Sequence, residues 1–180
     1  MFAEESIMTP TRSQSAPVSR RAGFTLIELL IVVAIIGVVA TIAIPGLSSA
    51  RAGANEASAI GSARTASSAQ AAYASSCGDG SYAPSALQLS LGGYVAPDFV
   101  LPVKHGFAFT LGVGDLGVLG PVDCDGNPTV TDFYFSATPT SPSLGRRGFA
   151  VDETGGIWVD LAGVAPVEPF VEGGTISPLR

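Results

Sequence analysis

The longest apolar stretch of the chain runs from Phe24 to Ile44 and contains a single charged residue, Glu28. A helix of about 21 residues is about 30 Å long, which matches the thickness of the hydrocarbon core of a bilayer. The stretch therefore predicts a membrane-spanning helix. A carboxylate is costly inside such a helix, so Glu28 indicates a function and needs a partner.

The segment before this helix is polar. Residues 1–19 show no periodicity, which predicts a disordered leader. Arg12, Arg20 and Arg21 lie upstream of the apolar stretch. Because positively charged flanks stay on the cytoplasmic side of a membrane, we expect the N-terminus in the cytoplasm.

The helical pattern continues through residues 47–76, which are dominated by alanine and other small residues. Spacings of three and four residues predict a narrow apolar stripe on one face of this segment, formed by Ala50, Ala54, Ala57 and Ile60. Gly37 and Pro45 interrupt the apolar helix. Proline lacks a backbone donor and clashes with the preceding turn, so we expect a kink or a local opening at Pro45.

The pattern changes to turns and short alternating strands from Cys77 onwards, although residues 85–104 fit no single pattern. A turn at residues 153–155 predicts a hairpin. Three or four antiparallel strands are predicted in all, at residues 106–111, 131–137, 147–152 and 156–160.

The predicted strands carry aromatic residues on one face, among them Phe107, Phe109, Phe133 and Phe135. We expect this face to cover the second half of the long helix. The predicted fold class is α+β, with a long N-terminal helix, half membrane-spanning and half amphipathic, packed against a small antiparallel sheet. Residues 161–180 are rich in Pro, Gly and Glu and are predicted to form a tail that is ordered only if it docks.

The net charge of the chain limits the classes of ligand that it is expected to bind. After residue 23 the chain contains thirteen acidic and six basic residues, a net charge of −7. Nucleic-acid binding draws on clustered Lys and Arg, so no specific nucleic acid is predicted as a partner. His105 has no Ser or Cys nucleophile motif beside it, and we expect neither enzymatic activity nor a cofactor.

The two cysteines, Cys77 and Cys124, form no CxxC pair, and His105 is the only histidine. These facts disfavour a zinc site and make a disulfide, formed in an oxidising compartment, the simpler hypothesis. Such a bond would close a loop of about 48 residues, for which loop entropy predicts a stabilisation of about 4 kcal/mol.

Asp123, Asp125 and Asn127 form a D-x-D-x-N sequence like the beginning of a calcium loop. An EF-hand would need a glutamate eleven residues after Asp123, where Tyr134 stands. A turn polarised by aspartates is the alternative. No metal site is predicted beyond these three candidate residues.

Three hypotheses compete for residues 20–45. A secretory signal peptide has a shorter apolar region of roughly 7–15 residues and ends at an Ala-x-Ala-like site, which is not clearly present here. A twin-arginine export signal is suggested by the paired arginines, but Phe24 comes one residue late. Glu28 falls within a run that should be neutral under both hypotheses.

The third hypothesis is a family resemblance. The sequence Gly-Phe-Thr-Leu-Ile-Glu-Leu-Leu at residues 23–30 resembles the class III signal of type IV pilins and type II secretion pseudopilins almost residue for residue. The resemblance implies a pilin fold, cleavage after Gly23 by a prepilin peptidase, and N-methylation of Phe24. It also implies that Glu28 neutralises the Phe24 amine of a neighbouring subunit. An interfacial Glu28 that snorkels to the membrane surface is the alternative.

The resemblance further implies that the helix between Gly37 and Pro45 loosens during assembly, with a static kink as the alternative. The segments that it implies are a leader removed by cleavage, a filament-core helix, the second half of that helix, and a β head with a Pro/Gly-rich tail. Their bounds are residues 1–23, 24–46, 47–76 and 77–180.

The implied partners are copies of the chain in a helical filament, a prepilin peptidase, an inner-membrane assembly platform with its ATPase, an outer-membrane secretin, and membrane lipid before assembly. The implied location is the bacterial inner membrane first, and then a cell-surface pilus or a periplasmic pseudopilus. The resemblance favours a pilus subunit that serves attachment, motility or DNA uptake. A pseudopilin of a short export filament is one alternative, and a membrane-anchored monomeric binding module is another.

Two features depart from the family pattern. A leader of 23 residues is longer than the short leaders that usually precede Phe at the cleavage site. The pair Cys77 and Cys124 also does not bracket a C-terminal loop, as the usual pilin disulfide does.

Overall fold

The structure, a computed structural model, describes residues 23–179. The predictions for the leader and for Arg12, Arg20 and Arg21 lie outside the described residues. The described residues divide into two compact units, residues 23–40 and residues 41–179.

A single long helix, α1, comprises the 51 residues Leu26–Ser76 and continues through Pro45. Its residues up to Ala40 belong to the first unit, in which the side chains from Phe24 to Val39 are exposed. Within the second unit the helix has a buried face. The exposed first half and the partly buried second half of α1 agree with the sequence. The first half has apolar residues on every face, and the second half consists mainly of small residues.

The second unit contains one antiparallel sheet of six strands in chain order, so each strand pairs with the next. The predicted number of strands, three or four, was slightly too low. The sheet has one further very short strand at each edge, which the sequence pattern did not indicate. A short helix α2, Ala86–Leu91, and a 3₁₀ turn, Pro97–Val100, precede the sheet. The strands are β1 Val103–Lys104, β2 Phe107–Val113, β3 Phe133–Pro139, β4 Gly148–Val151, β5 Ile157–Asp160 and β6 Ile176–Pro178.

The segment after Asp160, predicted as a tail that is ordered only if it docks, lies in part against the sheet. Strand β6 pairs with β5, with Val159 opposite Ser177. Phe170 lies against Trp158, with ring centroids 5.4 Å apart. This part of the chain is therefore docked on the sheet.

The core lies between the aromatic face of the sheet and helix α1, as the sequence predicts for an α+β fold. Four phenylalanines on the strands are almost fully buried: Phe107, Phe133, Phe135 and Phe149. They pack against alanines of α1 that are completely buried: Ala59, Ala63 and Ala66. Small side chains at these positions let the helix approach the large rings closely.

The predicted apolar stripe on α1 was wrong. Three of its four residues, Ala50, Ala54 and Ala57, are exposed. Alanine occurs on every face of this segment, so its spacing does not determine which face is buried. The buried face of α1 also contains the polar residues Glu56 and Gln70 and the hydroxyl group of Tyr73. A search for regularly spaced apolar residues does not find such positions.

Glu56 joins the buried face of α1 to the chain entering β4. Its Oε1 accepts hydrogen bonds from the backbone N–H groups of Arg146 and Arg147, at 2.7 and 3.2 Å. Its Oε2 lies 2.7 Å from the Arg147 guanidinium, which donates to it. One buried carboxylate therefore satisfies two backbone donors and pairs with one cation.

We expect Glu56→Ala to lower the free energy of unfolding by about 2–4 kcal/mol, since it removes charge-assisted bonds and leaves two part-buried backbone donors without their acceptor. Glu56→Gln is the matched control, because its carbonyl oxygen can still accept from the backbone. Its loss should be about 1 kcal/mol, since the Arg147 side chain is 39% exposed and the ion pair is partly screened. Urea denaturation of the detergent-solubilised chain, followed by Trp158 fluorescence, measures both. Equal losses for the two variants would contradict this account.

Candidate processing site, disulfide loop and acidic cleft

Gly23 and Phe24, the predicted cleavage site, lie just before α1 and outside any helix or strand. The Phe24 side chain is 84% exposed. Among the described residues, a Cβ built on Gly23 would meet no atom within 4 Å. The backbone at this bond is therefore open to close approach by a peptidase.

Glu28 has a local partner that the sequence analysis missed. Its Oε2 accepts hydrogen bonds from the backbone N–H of Thr25 at 2.9 Å and from the Thr25 hydroxyl at 2.8 Å. The Thr25 oxygen in turn accepts from the backbone N–H of Glu28 at 3.2 Å. This reciprocal arrangement is a capping box, and its signal is the Thr-x-x-Glu spacing at residues 25–28.

The capping box gives Glu28 a role within one chain. It satisfies a free backbone donor at the start of α1, and its negative charge suits the positive end of the helix dipole. The predicted pairing of Glu28 with the Phe24 amine involves a second copy of the chain, and it stays a prediction.

Large apolar side chains are displayed along the first part of α1. Between Phe24 and Ile44 they are 46–84% exposed. By length and composition, α1 is able to cross a membrane. Gly37 and Pro45 both lie within the continuous helix, and the predicted loosening between them concerns assembly and stays a prediction.

Cys77 and Cys124 are joined by a disulfide, with their Cα atoms 4.9 Å apart. Cys77 directly follows the last residue of α1, so the bond ties the helix end to the segment before β3. The backbone N–H of Cys124 also donates to the Cys77 carbonyl at 2.9 Å.

The candidate calcium residues lie beside this disulfide. Asp123 Oδ1 accepts from the backbone N–H groups of Asp125 and Asn127, at 2.9 and 2.7 Å. Asp123 Oδ2 accepts from the Tyr73 hydroxyl at 2.7 Å. Both oxygens of Asp123 therefore hold the turn and anchor it to α1, and the hypothesis of a metal on these three residues gains no support from the geometry.

The surroundings of this loop shift the pKa values of two groups, Asp123 and Tyr73, in opposite directions. Burial favours the neutral form of Asp123, but the bonds from Tyr73, Asn127 and Asp125 outweigh it and hold the pKa of this carboxyl well below its usual range. Burial, together with the bond to Asp123, raises the pKa of Tyr73 to about 12.

A second group of acids was not anticipated from the sequence. A cleft of about 440 Å³ at one end of the sheet contains five carboxylate residues and, within the described part of the chain, no basic residue in its lining. We call it the acidic cleft. Its carboxylates are Asp115, Asp132, Asp152, Glu153 and Glu168, and the rings of Trp158 and Phe170 also line it.

The carboxylates of the acidic cleft crowd one another. The neighbouring Asp132 carboxyl raises the pKa of Glu153, and burial adds to the shift. Burial also raises the pKa of Glu168, although the Asp115 N–H, which donates to its Oε2 at 2.7 Å, opposes the shift. Apart from the adjacent Asp152 and Glu153, these residues come from distant positions in the sequence, so no local spacing could have identified the cluster.

Comparison with known proteins bears on the N-terminal segment. Residues 18–44 match the family described as "Prokaryotic N-terminal methylation motif". The chain carries a prepilin-type N-terminal methylation motif. No curated protein and no solved structure shows detectable similarity to the chain.

The motif confirms the resemblance drawn from residues 23–30 and is consistent with a type IV pilin or pseudopilin. It implies processing by a prepilin peptidase and assembly into a filament. Proteins with this prepilin-type motif are structural rather than catalytic. The exposed apolar helix and the motif together fit a membrane anchor and a surface filament.

Proposed function

We propose that the chain is the structural subunit of a type IV pilus. A prepilin peptidase removes residues 1–23 on the cytoplasmic side and the amine of Phe24 is then methylated. Residues 24–46 form the membrane helix and later the filament core, residues 47–76 carry the head, and residues 77–180 form the head itself. The filament serves attachment, motility or DNA uptake.

The observation that carries this proposal is the combination of the prepilin motif with an apolar helix that is exposed from Phe24 to Val39. Apolar side chains in that number need a bilayer or other helices around them. A bilayer can cover them before assembly, and copies of the same helix can cover them in a filament core.

The proposed partners follow the same sequence of events. Membrane lipid surrounds the helix first, with the N-terminus in the cytoplasm. An inner-membrane platform and its ATPase then move subunits into the filament, which leaves through an outer-membrane secretin. The head contributes the surface of the filament and needs no catalytic residues.

A short periplasmic filament of a type II secretion system is a second candidate function, because the same motif begins pseudopilins. A membrane-anchored monomeric module is a third, and in it the helix would remain uncleaved. Immunogold electron microscopy of whole and sectioned cells, with antibodies against residues 77–180, separates the three. Long labelled filaments are expected. Label confined to the periplasm would favour the pseudopilus, and label confined to the membrane would contradict both filament proposals.

A further inference from the structure

The acidic cleft gathers carboxylates from three separate parts of the head. Asp132 immediately precedes β3, Glu153 lies in the turn between β4 and β5, and Glu168 lies between β5 and β6. One carboxylate oxygen from each of them lies within 4.8 Å of the other two. Charge-assisted hydrogen bonds are about 2.7–2.9 Å long, so one positively charged group between these oxygens can contact all three.

Asp132 is the residue that points to a ligand. It lines the cleft and is only 7% exposed, and its Oδ1 is fully buried with no hydrogen-bond partner among the described residues. A buried oxygen without a partner is costly, and native structures rarely leave one.

The neighbouring backbone makes room for this carboxylate. A Cβ built on Gly114 would lie 2.2 Å from Asp132 Oδ2. No side chain can therefore stand at position 114 while Asp132 keeps its position.

Aromatic and apolar side chains form another part of the lining. The rings of Trp158 and Phe170 have centroids 5.4 Å apart, and Leu116 and Pro169 also line the cleft. A volume of about 440 Å³ falls within the range of small-molecule sites and is far larger than a bare ion occupies. Aromatic rings attract a cation over their faces and also cover the carbon chain attached to it. The cleft therefore offers acids to a charged group and rings to an apolar stem.

We propose that the acidic cleft binds an organic cation, a guanidinium group carried on an apolar stem. The guanidinium lies among the carboxylates of Asp132, Glu153 and Glu168, and the stem lies on the rings of Trp158 and Phe170. The charged group donates to Asp132 Oδ1 and offsets the repulsion among the acids. The side chain of Glu153 is exposed and free to change rotamer, so it can open the way to the more buried Asp132.

The lining favours guanidinium over other positively charged groups. Its planar fork of five N–H donors pairs with carboxylates, its flat face stacks on aromatic rings, and it is more weakly hydrated than an ammonium group. Within the described part of the chain, no basic residue lines the cleft. The positive charge must therefore come from outside the cleft.

Two sources carry this chemistry: a small solute, or an arginine side chain from a second copy of the chain. Arg51, Arg64 and Arg146 are exposed. They take part in neither of the two ion pairs found among the described residues. The guanidinium groups of a neighbouring copy are thus available to the cleft.

Trp158 provides a direct probe, since it lines the same cleft and is the only tryptophan of the chain. The full chain, in non-ionic detergent with a chelator present, is titrated with butylguanidinium while Trp158 fluorescence is recorded. Butylurea, a neutral molecule of nearly the same shape, is the matched probe. We expect a saturable change with butylguanidinium and an affinity at least about tenfold lower for butylurea.

Two acid variants and one control locate the site. Glu153→Gln and Asp132→Asn should each weaken butylguanidinium binding by at least about tenfold. Glu153 is exposed, so a loss in its variant does not reflect a failure to fold, and near-ultraviolet circular dichroism checks the Asp132 variant. Asp125→Asn removes the same charge from the exposed loop beside the disulfide and should leave binding unchanged.

Phe170→Leu tests the aromatic part of the site and leaves Trp158 in place as the reporter. Leucine is still apolar but lacks the ring that attracts a cation. We expect butylguanidinium to bind about threefold more weakly and butylurea to be little affected.

Sedimentation velocity of the chain in detergent separates the two sources. Self-association that butylguanidinium disrupts, and that Glu153→Gln weakens, would assign the cleft to an arginine of a second copy. A mass that butylguanidinium leaves unchanged would assign it to a small solute. Either result supports the proposal, provided that the saturable binding is seen.

The proposal would be overturned by wild-type protein that gives no saturable response, or by butylurea that binds as tightly as butylguanidinium. Unchanged butylguanidinium binding in Glu153→Gln or in Phe170→Leu would overturn it as well. An equal loss in Asp125→Asn would reduce the effect to the general charge of the surface. None of these outcomes depends on whether the chain forms filaments.

Discussion

Glu28→Gln is expected to abolish filaments while the protein remains in the membrane. Glutamine keeps an oxygen that can accept the Thr25 hydrogen bonds, since a capping box works with either residue. It removes the charge that we propose to neutralise the Phe24 amine of a neighbouring subunit. An unpaired amine in an apolar filament core costs several kcal/mol, which is enough to prevent assembly. Electron microscopy of sheared material and immunoblots of membranes measure the two effects.

Thr25→Ala is the matched control for this experiment. It removes the hydroxyl of the capping box and leaves the carboxylate of Glu28 in place. The loss of a cap weakens the helix by about 1 kcal/mol, so we expect filaments to form with little change. Two results would contradict this account: filaments that still form in Glu28→Gln, or filaments that are lost only in Thr25→Ala. Either result would mean that Glu28 acts in the helix cap and not in subunit assembly.

The second large effect concerns the disulfide. Replacing both Cys77 and Cys124 by serine is expected to lower the free energy of unfolding of the head by about 4 kcal/mol. The bond closes a loop with a sequence separation of 47, so its loss restores much conformational freedom to the unfolded chain. Guanidinium denaturation of the detergent-solubilised chain, followed by Trp158 fluorescence, measures the change.

The folded head should keep its structure without the disulfide. Gln70 exchanges two hydrogen bonds of 2.8 Å with the backbone of Ala83, and Tyr73 holds Asp123. These bonds attach both ends of the loop to α1. Wild-type protein with a reductant is the control and should match the double variant. A loss below about 1 kcal/mol in both samples would contradict the loop-entropy argument.

The parts of the fold that the sequence predicts well depend on local patterns. The apolar run before Pro45 and the small-residue segment after it predict α1, and the alternating phenylalanines predict β2 and β3. The motif at residues 23–30 is contiguous, so it is readable without any knowledge of the fold.

The parts that the sequence does not predict depend on contacts between distant residues. Alanines on all sides of α1 hide its buried face, and the residues that mark this face are the polar Glu56 and Gln70, whose partners are 90 and 13 positions away. The acidic cleft likewise exists only after the sheet has formed. The capping box is different, since Thr25 and Glu28 were visible in the sequence as Thr-x-x-Glu.

The central claim is that the chain is cut after Gly23 and assembled by its new N-terminus. It is tested most directly by the mass of the N-terminal peptide of the main protein in sheared filaments. This account expects a peptide that begins at Phe24 and is one methyl group heavier than its sequence. A peptide in which residues 1–23 are still attached to Phe24 would contradict the claim.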